Sequence, residues 1–194
     1  VRQITAAELG QAGAHDKVLV FRIADNPLLG WFNGYTYVDT LSRKAVGKFI
    51  EVTHDAYARE VGADFGALVP GIFTDEPTYG TTTLSNGVGR APWTNALPEV
   101  FRQRYGYDLV PHLPEVFGMV DGAVFSKVRH DYRNCLTHLF VTSFAQPIFE
   151  WCARHGIVST GHVWNEETLR SQTNCIGSAM RFYEYMQAPG IDIL

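Results

Sequence analysis

Short apolar runs rich in β-branched residues alternate along this chain with longer stretches whose apolar positions recur every three or four residues. Lys17–Ala24 (KVLVFRIA), bounded by Asp16 and Asp25-Asn26-Pro27, reads as a strand. Leu28–Gly34 holds Gly30, Asn33 and Gly34 and reads as loop, and Tyr35–Asp39 (YTYVD) as a second short strand ending in a carboxylate. Ser42 suits a helix N-cap, and Val46, Phe49, Ile50, Thr53, Tyr57 and Val61 follow at helical spacing, with Gly62 as the stop. The strand Leu68–Thr74 comes next, then a long loop, Asp75–Thr94, rich in Thr, Gly, Ser and Asn. Loops of such length in compact domains are usually functional or mobile.

Pro98–Tyr105 reads as a short helix closed by Gly106, and Asp108–Gly118, with Pro111 and Pro114, as irregular. The longest helical pattern runs from Val124 to about His155, through Phe125, Val128, Tyr132, Cys135, Leu136, Leu139, Phe140, Phe144, Ile148 and Cys152. Pro147 lacks an amide donor and is expected to kink or split it. Gly156 closes it. The strand Ile157–Val163 follows, then a polar turn, a helix-like stretch Ser178–Met186, and Pro189-Gly190 before the start of a last strand, Gly190–Leu194.

Strands alternating with helices predict an α/β fold with a parallel sheet. No GxGxxG and no P-loop follows a strand, so a nucleotide-binding version lacks support. Acidic residues placed repeatedly at strand ends favour a partial (β/α)8 TIM barrel. About four strands amount to half of one, and 194 residues fall short of the roughly 250 a complete barrel takes. The chain opens on Val1 and stops on what reads as the beginning of another strand, so residues 1–194 are read as an internal fragment of a (β/α)8 catalytic domain.

Charge removes several function classes. Sixteen basic against twenty acidic residues give a net charge of −4 with no basic run, which argues against a nucleic-acid partner. No apolar run approaches the roughly 20 residues of a membrane span. Cys135, Cys152 and Cys175 form no metal-ligand spacing, and their odd count makes a poor disulfide framework; Cys135 and Cys152 read as core thiols. The sequence assigns no compartment.

The candidate chemistry sits at two strand ends. Thr74-Asp75-Glu76-Pro77 puts two carboxylates at the tip of one strand, and Gly161-His162-Val163-Trp164-Asn165-Glu166-Glu167 repeats the arrangement about ninety residues on. Glycosidic hydrolysis needs a proton donor and a second carboxylate, about 5–5.5 Å apart in retaining enzymes and about 6.5–9.5 Å in inverting ones. Strands about 4.8 Å apart can supply either separation. Glu76 is the candidate acid, and Glu166 or Glu167 the candidate second carboxylate, with Glu166 preferred because it lies nearer the strand. The plainer alternative for Glu166 and Glu167 is a stabilising place in the first turn of a helix. Asp75 is the other acid at the first tip. His162 either binds a substrate hydroxyl, orients a carboxylate or is a satisfied core histidine. Asp39 and Asp192, also at strand ends, either bind substrate hydroxyls or cap turns. Tyr79, Trp93 and Trp164 are candidates for stacking on a sugar face, or for pinning loops.

These residues resemble a family. Tyr37-Val38-Asp39, Gly71–Pro77 (GIFTDEP), Phe101–Leu109 (FRQRYGYDL), Val128–Arg133 (VRHDYR), Leu139-Phe140, Glu150-Trp151-Cys152, His155-Gly156 and Thr160–Val163 are similar to large bacterial glycoside hydrolases of the family 106 α-L-rhamnosidase type. The resemblance covers roughly Tyr35 to Leu194. It implies a (β/α)8 catalytic domain, a carbohydrate substrate, removal of a terminal deoxysugar, and an acid at Glu76 with its base at Glu166 or Glu167. It requires no cofactor; calcium is associated with such enzymes, although no residue is assigned to it. Two rival readings stand beside it. One is a divalent-metal barrel isomerase or hydrolase using Asp75 or Glu76, His162, Glu166 and Asp192. The other is a carbohydrate-binding barrel without turnover.

Overall fold

The computed structural model describes residues 5–15, 17–118 and 125–193. Helices α1 (Arg43–Val52) and α2 (His54–Val61) lead into strand β1 (Gly71–Thr74). A hairpin of β2 (Thr83–Ser85) and β3 (Val88–Arg90) follows, then α3 (Leu97–Tyr105) and the single turn α4 (Leu113–Val116). Helices α5 (Lys127–Phe140) and α6 (Gln146–Arg154), joined by the π-helical turn Val141–Ala145, precede β4 (Val158–Gly161). Helices α7 (Leu169–Cys175) and α8 (Ala179–Tyr183) then precede β5 (Ala188–Pro189). The result is a mixed α/β chain around a small parallel sheet of order β1–β4–β5. Gly71 lies opposite Val158, Thr74 opposite Gly161, and Thr160 opposite Ala188.

Local chemistry explains most of these boundaries. Ser42 caps α1, its Oγ accepting from the Ala45 amide at 3.3 Å. The helix expected through Val61 breaks once, at Thr53, whose φ −110 and ψ −68 separate α1 from α2. Gly106, at φ +77, ends α3 in the left-handed conformation. Pro147 sits in the first turn of α6, where its missing donor costs little, and the π turn before it absorbs the mismatch that was expected to appear as a kink.

The core lies where α5, the π turn and α6 meet α1 and α8. Phe140 is fully buried, with ring contacts to Phe182 at 4.9 Å and Phe144 at 5.8 Å. Phe49 of α1 stacks on Phe144 at 6.4 Å. Burying each such side chain is worth about 1.5–3 kcal/mol. All three cysteines are buried free thiols. No helix of the described residues is long and apolar enough to cross a membrane.

Several expectations are corrected. Lys17–Ala24 forms no strand: it has no ladder partner, and Val20 and Ile23 are exposed. An alternating β-branched run becomes a strand only when another strand accepts its hydrogen bonds. Tyr35–Asp39 likewise lacks a ladder beyond an isolated bridge between Leu29 and Tyr35. The loop Asp75–Thr94 contains the β2–β3 hairpin, built on Asn86 and Gly87 at positive φ. Asp108–Gly118 holds a 3-10 turn (Val110–His112) and α4, and α7 falls in the stretch expected to be only a polar turn. The last strand is Ala188–Pro189, earlier than expected, and Gly190–Ile193 continues without a ladder. Val124 and Leu194, the expected ends of the long helix and the last strand, lie outside the described residues.

Candidate active site

Parallel strands end on the same side of a sheet, which is where α/β proteins gather their reactive groups. Here β1 runs directly into Asp75 and Glu76, β4 into His162–Glu167, and β5 toward Asp192. Gly161 makes the close approach of β4 to β1: its φ is +134, and a Cβ there would stand 2.0 Å from the Thr74 carbonyl oxygen. The His162 amide donates to that carbonyl at 3.3 Å.

Glu76 adopts the left-handed conformation, φ +48. For a residue with a Cβ this costs roughly 1–2 kcal/mol, so the surroundings must enforce it. Pro77 behind it is fully buried, and the Pro77 carbonyl accepts from the Trp164 amide at 3.4 Å. Thr78 Oγ1 and the Tyr79 amide both donate to the Cys175 carbonyl, at 2.7 and 3.2 Å, tying the loop to α7. Glu76 is thereby turned, half-buried, into a small open cleft of about 80 Å³.

Four carboxylates, those of Glu76, Glu166, Glu167 and Asp192, line this cleft with His162 and Trp164. His162 is 8% exposed. Its Nε2 pairs with Asp75 Oδ1 at 3.0 Å. That leaves Nδ1 buried, without a hydrogen bond, facing Glu166 Oε1 at 3.7 Å. Glu166 accepts from the Val163 amide (3.0 Å), the Asp192 amide (2.6 Å) and the Tyr183 hydroxyl. Burial pushes its carboxyl up, but the hydrogen bonds from Tyr183, Asp192 and Val163, with His162 beside it, hold it below the usual carboxylate range. Glu167 is exposed.

One oxygen of Glu76, one of Asp192 and a His162 ring nitrogen lie within 4.8 Å of one another. That spacing matches two ligands on opposite sides of a divalent ion at about 2.4 Å. The two carboxylates fit a hard ion such as calcium; the imidazole does not belong to that donor set and suits transition metals better.

Three residues expected at the site lie elsewhere. Asp39 caps a turn, accepting from the Leu41 amide at 3.0 Å and from Thr94 Oγ1 at 2.7 Å. Tyr79 is buried edge-on to Phe140, with ring centroids 5.5 Å apart, and Trp93 packs against the core. Both aromatics therefore pin loops, the plainer of the two roles open to them. Asp75 reaches the site only through His162. Two residues come unannounced: Asn165, at φ +53 in the cleft wall, and Tyr183 behind Glu166. A positive-φ Asn in a polar turn is a readable signal; nothing local marks Tyr183.

The family model for alpha-L-rhamnosidase matches residues 31–191. This chain belongs to that glycoside hydrolase family. Among solved structures, a rhamnosidase from Novosphingobium sp. PP1Y is similar with a TM-score of 0.55 at 20% identity, over 78% of this chain. The chain spans 13% of that protein's length, so the likeness concerns the fold of one segment. No curated protein matches the chain. The rhamnosidase-family match takes in every cleft carboxylate except Asp192, one residue beyond its end.

Proposed function

We propose that the cleft is the sugar-binding corner of a glycoside hydrolase that removes a terminal sugar, α-L-rhamnose by family, from a glycoside or polysaccharide. The sheet would then be a section of a (β/α)8 barrel, with the cleft at the C-terminal ends of its strands. One observation carries the reading: four carboxylates from three parallel strand ends converge with His162 on one cleft. Its small volume, set against the roughly 300–1,000 Å³ of a ligand pocket, suits one wall of a larger site.

The residues divide by how they are engaged. Glu76 is half-buried, and its carboxyl takes no hydrogen bond among the described residues, which suits delivery of a proton to the leaving oxygen. Glu167 is the exposed member of its pair and suits activation of water on the other face of the sugar. Asp192 and His162 suit the binding of hydroxyls. Trp164, 41% exposed in the cleft wall, offers a face for stacking.

A second reading has its own observation, the Glu76–His162–Asp192 cluster. A divalent ion held there would orient sugar hydroxyls. The imidazole favours a borderline metal over calcium, so this stays second. Bound metal found by elemental analysis, with activity lost to a chelator and restored by the ion, would raise it to first.

The test uses an aryl α-L-rhamnoside. Glu76→Gln and Glu167→Gln should each lower kcat about 100-fold or more with thermal unfolding unchanged. Full turnover by Glu76→Gln overturns the assignment. Sugar binding by the wild-type chain without any turnover replaces it with a binding module.

A further inference from the structure

We propose that Tyr183 is a positioning residue: its phenol fixes the Glu166 carboxylate so that this side chain, rather than moving a proton, holds Asp192 and His162 in place around the cleft. The consequence for turnover rests on the hydrolase reading above; the geometry stands without it.

Glu166 has almost no capacity left for substrate. Its side chain is 7% exposed. A carboxylate offers about four lone-pair positions. Here the Val163 amide and the Tyr183 hydroxyl take Oε2, the Asp192 amide takes Oε1 at 2.6 Å, and the remaining face of Oε1 looks at His162 Nδ1. Charge-assisted hydrogen bonds of this kind are about twice as strong as neutral ones. They also join segments remote in sequence: the end of β4, the last residue of α8, and the residues beyond β5.

Tyr183 is delivered to this contact by a fixed element. The Glu166 carbonyl accepts from Gln172 Nε2 at 2.7 Å, and Gln172 Oε1 accepts from the Ala179 amide, the first residue of α8, at 3.2 Å. Arg181 Nη1 donates to Asn134 Oδ1 at 2.8 Å, docking α8 on α5, and Phe182 is buried against Phe140. Among the described residues the two other donors to Glu166 are backbone amides. The phenol is thus the one hydrogen bond to the carboxylate that a side-chain change can remove. Without it, Oε2 keeps one donor and the carboxylate can swivel, carrying the Asp192 amide with it.

The experiment compares Tyr183→Phe with Tyr185→Phe, whose ring packs on Phe149 away from Glu166. Each variant is measured for kcat and KM on the aryl rhamnoside, for thermal unfolding, and for the Asp192 amide signal by NMR. Tyr183→Phe should lower kcat at least about 10-fold, since a misplacement of about 1 Å in a substrate-positioning group can cost about 100-fold. KM should rise, since Asp192 and His162 bind hydroxyls, and the Asp192 amide should lose its hydrogen-bonded shift, while Tyr185→Phe leaves all three unchanged. A Tyr183→Phe variant that loses only thermal stability, with kcat and the Asp192 signal intact, overturns the proposal. Should the wild type turn over no glycoside, the hydrolase reading fails by itself, and the Asp192 signal in Tyr183→Phe still decides for or against the brace.

Discussion

Replacing Gly161 by Ala attacks the contact that brings the two acidic strand ends together. Three effects add. A side chain at φ +134 occupies backbone space that L residues rarely enter, at about 1–3 kcal/mol. The new Cβ would stand 2.0 Å from the Thr74 oxygen and 2.8 Å from its nitrogen. Both are backbone atoms of the paired strand, so no rotamer change relieves the overlap and β1 must move from β4, at about 1–3 kcal/mol. The 3.3 Å bond from the His162 amide to Thr74 is then lost, at about 0.5–1.5 kcal/mol. Together these make roughly 2.5–7.5 kcal/mol, a large share of the 5–15 kcal/mol by which domains are stable. Gly156→Ala is the matched control: its φ is +69, but a Cβ there meets nothing within 4 Å, so only a backbone cost of about 1–2 kcal/mol applies. The assay is guanidinium unfolding of both variants beside the wild type, with turnover of the folded fraction. If Gly161→Ala costs no more than Gly156→Ala, the close approach of the strands is not what requires glycine, and the account of the site's geometry fails with it.

Two further outcomes are expected. His54 is 3% exposed between the rings of Phe49 and Trp151, neither ring nitrogen is hydrogen-bonded, and burial pushes its pKa down against the opposing pull of Asp55. The unfolded chain therefore takes up a proton near pH 6.5 that the folded chain refuses. Stability should fall as pH drops below that point, by up to about 1.4 kcal/mol per pH unit. His138, also pushed down by burial, adds to the slope. In His54→Leu the slope should shrink; an unchanged slope in urea titrations from pH 7.5 to 5 would mean that His54 finds a partner for its proton. Trp164→Ala should raise KM roughly 3- to 10-fold through a lost stacking contact of about 0.5–1.5 kcal/mol; an unchanged KM with weaker kcat would place the ring outside the sugar's footprint.

Helices were readable from sequence because their signals are local. Ser42, Gly62 and Gly106 mark ends that the backbone obeys, and the apolar spacing from Val128 to Cys152 follows the buried face of α5 and α6. Helix α7 carries little apolar periodicity, yet Thr168 and Ser171 form a capping box that could have announced it. Strands were harder. Lys17–Ala24 and Ile157–Val163 look equally strand-like in composition, and only the second finds a partner, because pairing is a property of two remote segments. The site follows the same division. Glu76, His162 and Glu166 could be found from strand-end motifs and do share a cleft. Asp39, Tyr79 and Trp93 carried similar motifs, but hydrogen bonding and packing turned them to structural tasks. Tyr183 meets Glu166 across 17 residues of sequence, and no spacing rule connects an acid in a turn to a phenol on the next helix but one.

The left-handed backbone at Glu76 has a bearing on how this chain would change under selection. Gly, and to a lesser degree Asn, occupy that conformation without the penalty a glutamate meets there. A screen that rewards heat resistance alone would therefore reward loss of the carboxylate, and, if Glu76 is the proton donor proposed above, the survivors would be sturdier and inert. Any effort to harden this protein must hold position 76 fixed and seek its gains in the helical layer.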